Sequence, residues 1–172
     1  MKTFAILTAL TGLLTQSVPA AAFETLGFKT GMTPAQVQVA APQGYTFIPA
    51  FGADPQSYSF SATIVRGSDV FATVVFCHQR LTSVIREIDP ATEWATRLQA
   101  RLASSGQPRV SVRTQLWTGS GGGDAITVAL RWVSAGEVYG LSLNPEGRTA
   151  SGALRYMSSA FEEFGVDEPC RQ

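Results

Sequence analysis

Histidine is nearly absent from this chain: His78 stands alone among 172 residues. That excludes any site built on two imidazoles. With only Cys77 and Cys170 as possible companions, no ligand set has zinc spacing, so neither a metal nor a cofactor is expected. Charge is sparse too. Only 15% of residues are charged, and 13 bases balance 13 acids. Nucleic acid and anionic membranes are recognised through a basic excess, so neither is an expected partner. Lysine all but disappears after Lys2, leaving Lys29 alone among arginines. Long apolar runs are missing as well. Residues 4–14 (FAILTALTGLL) fall short of the roughly 20 needed to span a bilayer, and no later segment is longer and as apolar.

What is present at the start has a different meaning. Lys2, the short apolar run and the small residues up to Ala22 follow the order of a secretory signal peptide. Cleavage is expected after Ala22 or Ala20. No cysteine ends the apolar run, so no lipid anchor is expected, and the product should be periplasmic or secreted. The remaining residues, 23–172, have the length of a single domain and are rich enough in apolar side chains to bury a core. Without Lys2 the balance is 12 bases to 13 acids. In an oxidising compartment, Cys77 and Cys170 are expected to join.

Helix signals occur three times. Thr33-Pro34 with Gln36 makes a capping box with proline at the first helical position, and Val37, Ala40 and Ala41 share a face. Asp89-Pro90 repeats the device. Trp94, Leu98 and Leu102 follow on one side, with Glu93, Arg97 and Arg101 expected to face away, until Gly106 and Pro108 stop the helix. Leu154, Met157 and Phe161 predict a third helix over residues 151–164, with Glu162-Glu163 on its solvated side.

Strands lie between. Residues 57–65 (SYSFSATIV) alternate strictly, and Gly67-Ser68 makes a two-residue hairpin loop. Pairing Arg66 with Asp69 would set Ile64 opposite Phe71, Phe60 opposite Val75 and Tyr58 opposite Cys77. A second hairpin joins residues 125–133 to 138–143. Pairing Trp132 with Tyr139 aligns Ile126, Val128, Leu130, Leu141 and Leu143 on one face, with Ala125, Thr127, Ala129, Arg131, Gly140 and Ser142 on the other. Residues 81–88 and 109–117 are further strands. The expected class is α+β: antiparallel sheet with helices packed on one face, arranged as two helix-plus-meander halves.

The segment at residues 26–37 (LGFKTGMTPAQV) resembles the opening of small exported domains related to the β-lactamase-inhibitor protein and to BamE, the outer-membrane assembly lipoprotein. In those, Gly-Met-Ser/Thr starts a short helix ahead of a meander. The resemblance implies a helix-plus-sheet fold and a binding role. It carries over no functional residue, because the motif is structural, and the lipidated cysteine of the assembly lipoprotein has no counterpart here.

Catalytic equipment is thin. The first hairpin's register would bring Ser57 across from His78, a conceivable hydrolytic dyad, but no acid is placed to orient the imidazole. Cys77 and His78, as strand neighbours, would point to opposite faces. The glycine-rich run at residues 119–124 (GSGGGD) lacks the lysine and helix of a phosphate cradle, and a single copy does not make a stacked calcium-binding repeat. It reads as a hairpin loop. Glu87 and Asp89 flank a strand end without forming an acid–base pair. Trp132 and Tyr139 are expected in the core, with Trp117 exposed. The expected function is a non-catalytic domain binding a protein or envelope partner through a face lined by Ser57, Ser59, Ser61, Thr63, Thr127, Arg131 and Ser142. A small hydrolase using Ser57 and His78 is the alternative.

Overall fold

The computed structural model describes residues 23–50, 52, 54–117, 123–144, 147–148, 155–156, 158–167 and 170, with the backbone alone at 114–117, 123–125, 147–148 and 155–156. The expected leader, residues 1–22, lies outside these, as do most of the glycine-rich run and residues 151–154 and 157 of the expected third helix. The elements are β1 (Glu24–Thr25), β2 (Phe28–Lys29), α1 (Pro34–Ala40), β3 (Thr46–Pro49), β4 (Ser59–Arg66), β5 (Asp69–Cys77), β6 (Arg80–Ile88), α2 (Trp94–Ser105), β7 (Arg109–Trp117), β8 (Gly123–Ser134), β9 (Glu137–Asn144), β10 (Gly147–Arg148), β11 (Arg155–Tyr156) and β12 (Ser159–Val166). The class is mixed α+β, and strands dominate.

Eight strands form one antiparallel sheet in the order β3-β4-β5-β6-β12-β9-β8-β7. The order helix-then-meander recurs, as α1 with β3–β6 and α2 with β7–β9. β12 joins the two meanders by pairing with β6 on one side and β9 on the other.

Helix α1 forms as its sequence demands. Thr33 accepts from the Gln36 backbone N–H, and the Gln36 side chain accepts from the Thr33 N–H at 2.8 Å, completing the capping box. Its Val37 is fully buried. Helix α2 begins four residues after Pro90, because Asp89 caps a preceding turn, accepting from the N–H groups of Ala91 and Thr92. Gly106 ends it with φ of 70°, a conformation that costs glycine little.

The second hairpin has the expected register, with Trp132 opposite Tyr139 and Leu130 opposite Leu141. The first departs from it. Arg66 does face Asp69, but a bulge between Ile64 and Val65 shifts the ladder by one residue. Ile64 therefore faces Ala72, Phe60 faces Phe76, and Ser59 rather than Tyr58 faces Cys77. Phe71, the extra residue, still packs against the core, whereas Val75 moves to the face of Ser61.

The third expected helix is not formed where the chain is described: residues 159–166 are strand β12. The spacing of Leu154, Met157 and Phe161 fits a helix locally. Alternation of Ala160, Glu162 and Phe164 fits a strand equally well, and pairing with two distant strands decides. Gly165 suits this place, since an added Cβ would lie 3.2 Å from the Thr82 carbonyl and 3.3 Å from Ser83 Cβ.

Two apolar clusters lie on the same face of the sheet by register. One gathers Phe28, Val37, Phe60, Ile64, Val74, Phe76, Leu81 and Val84. The other gathers Ile88, Leu130, Trp132, Tyr139, Leu141 and Ala160, with Trp94, Leu98 and Leu102 of α2 packed against it. Phe164 touches both.

Cys77 and Cys170 are bonded at 2.05 Å, 93 residues apart in sequence. Closing a loop of that length stabilises the fold by about 4–5 kcal/mol in the chain-entropy model. The Tyr58 hydroxyl donates to the Cys170 carbonyl at 2.6 Å, a second tie on the C-terminal segment. Unreduced, unfolded protein should therefore titrate with no free thiols. The double replacement Cys77→Ala, Cys170→Ala should lower the urea midpoint by an amount equivalent to several kcal/mol. An unchanged midpoint would mean that the rest of the fold already restrains the chain end.

Candidate functional site

The face opposite the apolar clusters runs across the whole sheet. Thr63, Thr73, Ile85, Glu163, Gly140, Arg131 and Arg109 are successive register partners from β4 to β7. A parallel row holds Phe161, Ser142, Ala129 and Ser111, and Thr127 lies beyond it. Ser61, Thr63, Thr127, Arg131 and Ser142 thus share this face, as expected from the sequence. Ser59 follows by alternation, while Ser57 precedes β4 and is no part of it. These side chains are half-buried to exposed, and the described backbone places no helix residue among them.

Polar atoms on this face are partly engaged. Ser83 donates to Glu163 at 2.9 Å, and Glu163 lies over Gly140, where an added Cβ would be 3.2 Å from it. Thr127 donates to Asn144 at 2.6 Å, and Asn144 to Ser159 at 3.0 Å. Arg131 pairs with Asp167 at 3.1 Å.

His78 and Ser57 are placed differently from the sequence expectation. His78 and Gln79 form the two-residue turn between β5 and β6, both with positive φ, 48° and 61°. The His78 N–H donates to the Tyr58 carbonyl at 2.9 Å, and its ring lies edge-on to Tyr58 with centroids 4.1 Å apart. Ser57 Oγ donates to the Ser59 carbonyl at 2.8 Å. Among the described residues no hydrogen bond joins Ser57 to His78, because the cross-strand pairing that would unite them rests on the unbulged register. Trp132 and Tyr139 are buried, as expected, and the Trp117 side chain lies outside the described ones.

The acidic pair was misplaced by the helical reading. Glu162 is only 2% exposed and sits on the apolar face, beneath α2. One oxygen accepts from Arg86 Nε at 2.7 Å and Nη2 at 2.6 Å; the other accepts from Arg97 at 3.1 Å and from the Tyr139 hydroxyl at 2.7 Å. Arg97 therefore faces the sheet, not solvent, and Glu93 holds its other nitrogen at 2.6 Å. That contact, with the Asp89 N–H, holds the Glu93 carboxyl below its ordinary range. Arg101 also turns inward, its guanidinium 4.4 Å from the Tyr139 ring centroid. The sequence hint was an acid flanked by Ala160 and Phe164 at strand spacing.

No protein-family model, curated protein or solved structure matches the chain. Among the described residues no cluster of histidine, cysteine and carboxylate side chains could hold a metal ion, and no helix is long and apolar enough to cross a membrane.

The ionic cluster makes two measurable demands. Glu162→Gln leaves two guanidinium groups facing a neutral amide in a mostly buried site, so stability should fall by roughly 3–5 kcal/mol in chemical denaturation. An effect within the range of surface mutations would show that water solvates the cluster. Separately, burial and then the hydrogen bond to Glu162 hold the Tyr139 phenol well above its ordinary 10.0. The folded state thus keeps a proton that the unfolded chain releases. Stability is whole below about pH 10 and declines as pH rises beyond it. Tyr139→Phe should flatten that alkaline slope, read as unfolding midpoint against pH.

Proposed function

We propose that this chain is an exported, non-catalytic domain that binds a protein or envelope partner across the open face of its sheet. The single observation that carries the reading is the unequal treatment of the two faces. We infer that α1 and α2 both cover the apolar face, since Val37 joins one cluster and Trp94, Leu98 and Leu102 pack on the other. The opposite face presents short polar side chains with Phe161, Val75 and Ile85 among them, half-buried to exposed, while Cys77, Ser83 and Val138 toward the Gly165 end of the same face are buried. Small side chains let another surface approach closely, while the interspersed apolar groups reward its arrival. The resemblance of residues 26–37 to exported binding domains supports the same reading. So does the disulfide, a bond that persists in oxidising compartments. The hydrolase alternative has less support, since the Ser57 hydroxyl donates to the Ser59 carbonyl and His78 lies in a turn with its N–H on the Tyr58 carbonyl.

The test is capture from envelope extract by the purified domain. A specific partner should be retained by the wild-type protein and lost with Thr63→Trp and Ser142→Trp, which fill the face without touching the core. Thermal melting would verify that both variants fold. His78→Ala should leave capture intact. Labelling of Ser57 by a serine-reactive phosphonate, abolished by His78→Ala, would overturn the reading in favour of a hydrolase.

A further inference from the structure

One edge of the sheet is β7, and no described strand pairs beyond it. β7 joins β8 through unbroken register partners from Arg109–Arg131 to Trp117–Gly123, with no bulge. In an antiparallel pair every second residue turns its N–H and C=O away from its neighbour. Among the described residues none of these outward groups finds a backbone partner elsewhere. Folded proteins blunt such an edge with a bulge, a proline or a very short strand. The opposite edge follows that rule, since β3 has four residues and ends in Pro49. β7 has nine residues and no proline.

The side chains of β7 sort by face. Val110 and Val112 are in register with Leu130 and Val128 on the apolar face, yet they are 64% and 63% exposed. Ile126 of β8 is exposed beside them. Trp94, Leu98 and Leu102 of α2 pack on the cluster of Leu130 and Trp132 and leave these three in water. On the open face Arg109, Ser111 and Arg113 are all exposed. Asp167 holds Arg131, but among the described residues neither Arg109 nor Arg113 has an ion pair. Charge by itself would guard an edge; it does not account for two valines left exposed between the charges.

We propose that β7 accepts an added strand from a partner protein, an extended segment in which acidic side chains alternate with apolar ones. The backbone of that segment completes the ladder, and its side chains alternate between faces as those of β7 do. Two acids four residues apart stand opposite Arg109 and Arg113. Two apolar side chains between them cover Val110 and Val112. Opposite charges across a strand pair stabilise it, and like charges destabilise it. The same two arginines therefore disfavour a second copy of β7 paired about its centre and select the acidic segment. Thr63 and Ser142 lie away from this edge, on β4 and β9, so failure here leaves the reading of the open face standing.

The probe is a blocked seven-residue peptide with glutamate at its second and sixth positions, valine at its third and fifth, and threonine elsewhere. Titrated into the full mature protein, it should bind saturably and slow hydrogen exchange at alternate amides of β7. A peptide with lysine in place of both glutamates should bind roughly tenfold more weakly or worse. The double variant Arg109→Glu, Arg113→Glu changes only exposed side chains, and thermal melting would verify that it folds. It should reverse the preference and favour the lysine peptide. No binding of the glutamate peptide, equal binding of both peptides, an unchanged preference in the variant, or protection confined to other strands would each overturn the proposal. So would a dimer of the wild-type protein in sedimentation with the β7 amides already protected, because a second copy would then occupy the edge.

Discussion

One buried carboxylate organises the middle of this protein. Taking Glu162 out of water costs several kcal/mol, and the cost is met only because every part of the carboxylate has a partner. Those partners come from three elements: Arg86 on β6, Tyr139 on β9 and Arg97 on α2. β12 carries the acid, so the strand that joins the two meanders is also the one to which α2 is ionically tied. A slip of one residue that put Phe161 in its place would take the carboxylate away from Arg86, Arg97 and Tyr139 together. Register and helix placement are therefore one constraint. The same chain of contacts continues through Tyr139 to Arg101.

The sheet's edges are managed unequally. β3 is four residues long and ends in Pro49, which has no N–H to offer a neighbour. β7 is nine residues long, and its Val110 and Val112, with Ile126 on β8, stay exposed beyond the cover of α2. Arg109 and Arg113 on the same edge oppose strand-to-strand association of two copies, since antiparallel pairing about the centre of β7 would bring Arg113 against its equivalent.

Local signals were legible wherever the interaction that decides a structure is itself local. The Thr33 capping box links residues three apart in sequence, and the Gly67-Ser68 and Ala135-Gly136 loops each close a hairpin whose alternation follows directly. The direct pairing of Ser57 with His78 failed because it depended on counting residues across a hairpin, and a single bulge at Ile64 changes the count for everything beyond it. The same bulge sends Val75 to the open face. Nothing in SYSFSATIV marks where an extra residue will be accommodated, because the choice depends on how β5 fits both β4 and β6.

By itself the sequence determined the capped start of α1, the apolar stripe of α2, the second hairpin with its two faces, and the availability of two cysteines for one bridge. Each rests on residues a few positions apart, or on counting. Tertiary structure alone decided that residues 159–166 are a strand rather than a helix, that Glu162 is buried rather than solvated, and that Arg97 and Arg101 turn inward. The reason is physical. A short apolar segment satisfies helical and strand periodicity alike, and the backbone partners that choose between them lie about 75 residues away on β6 and about 22 away on β9.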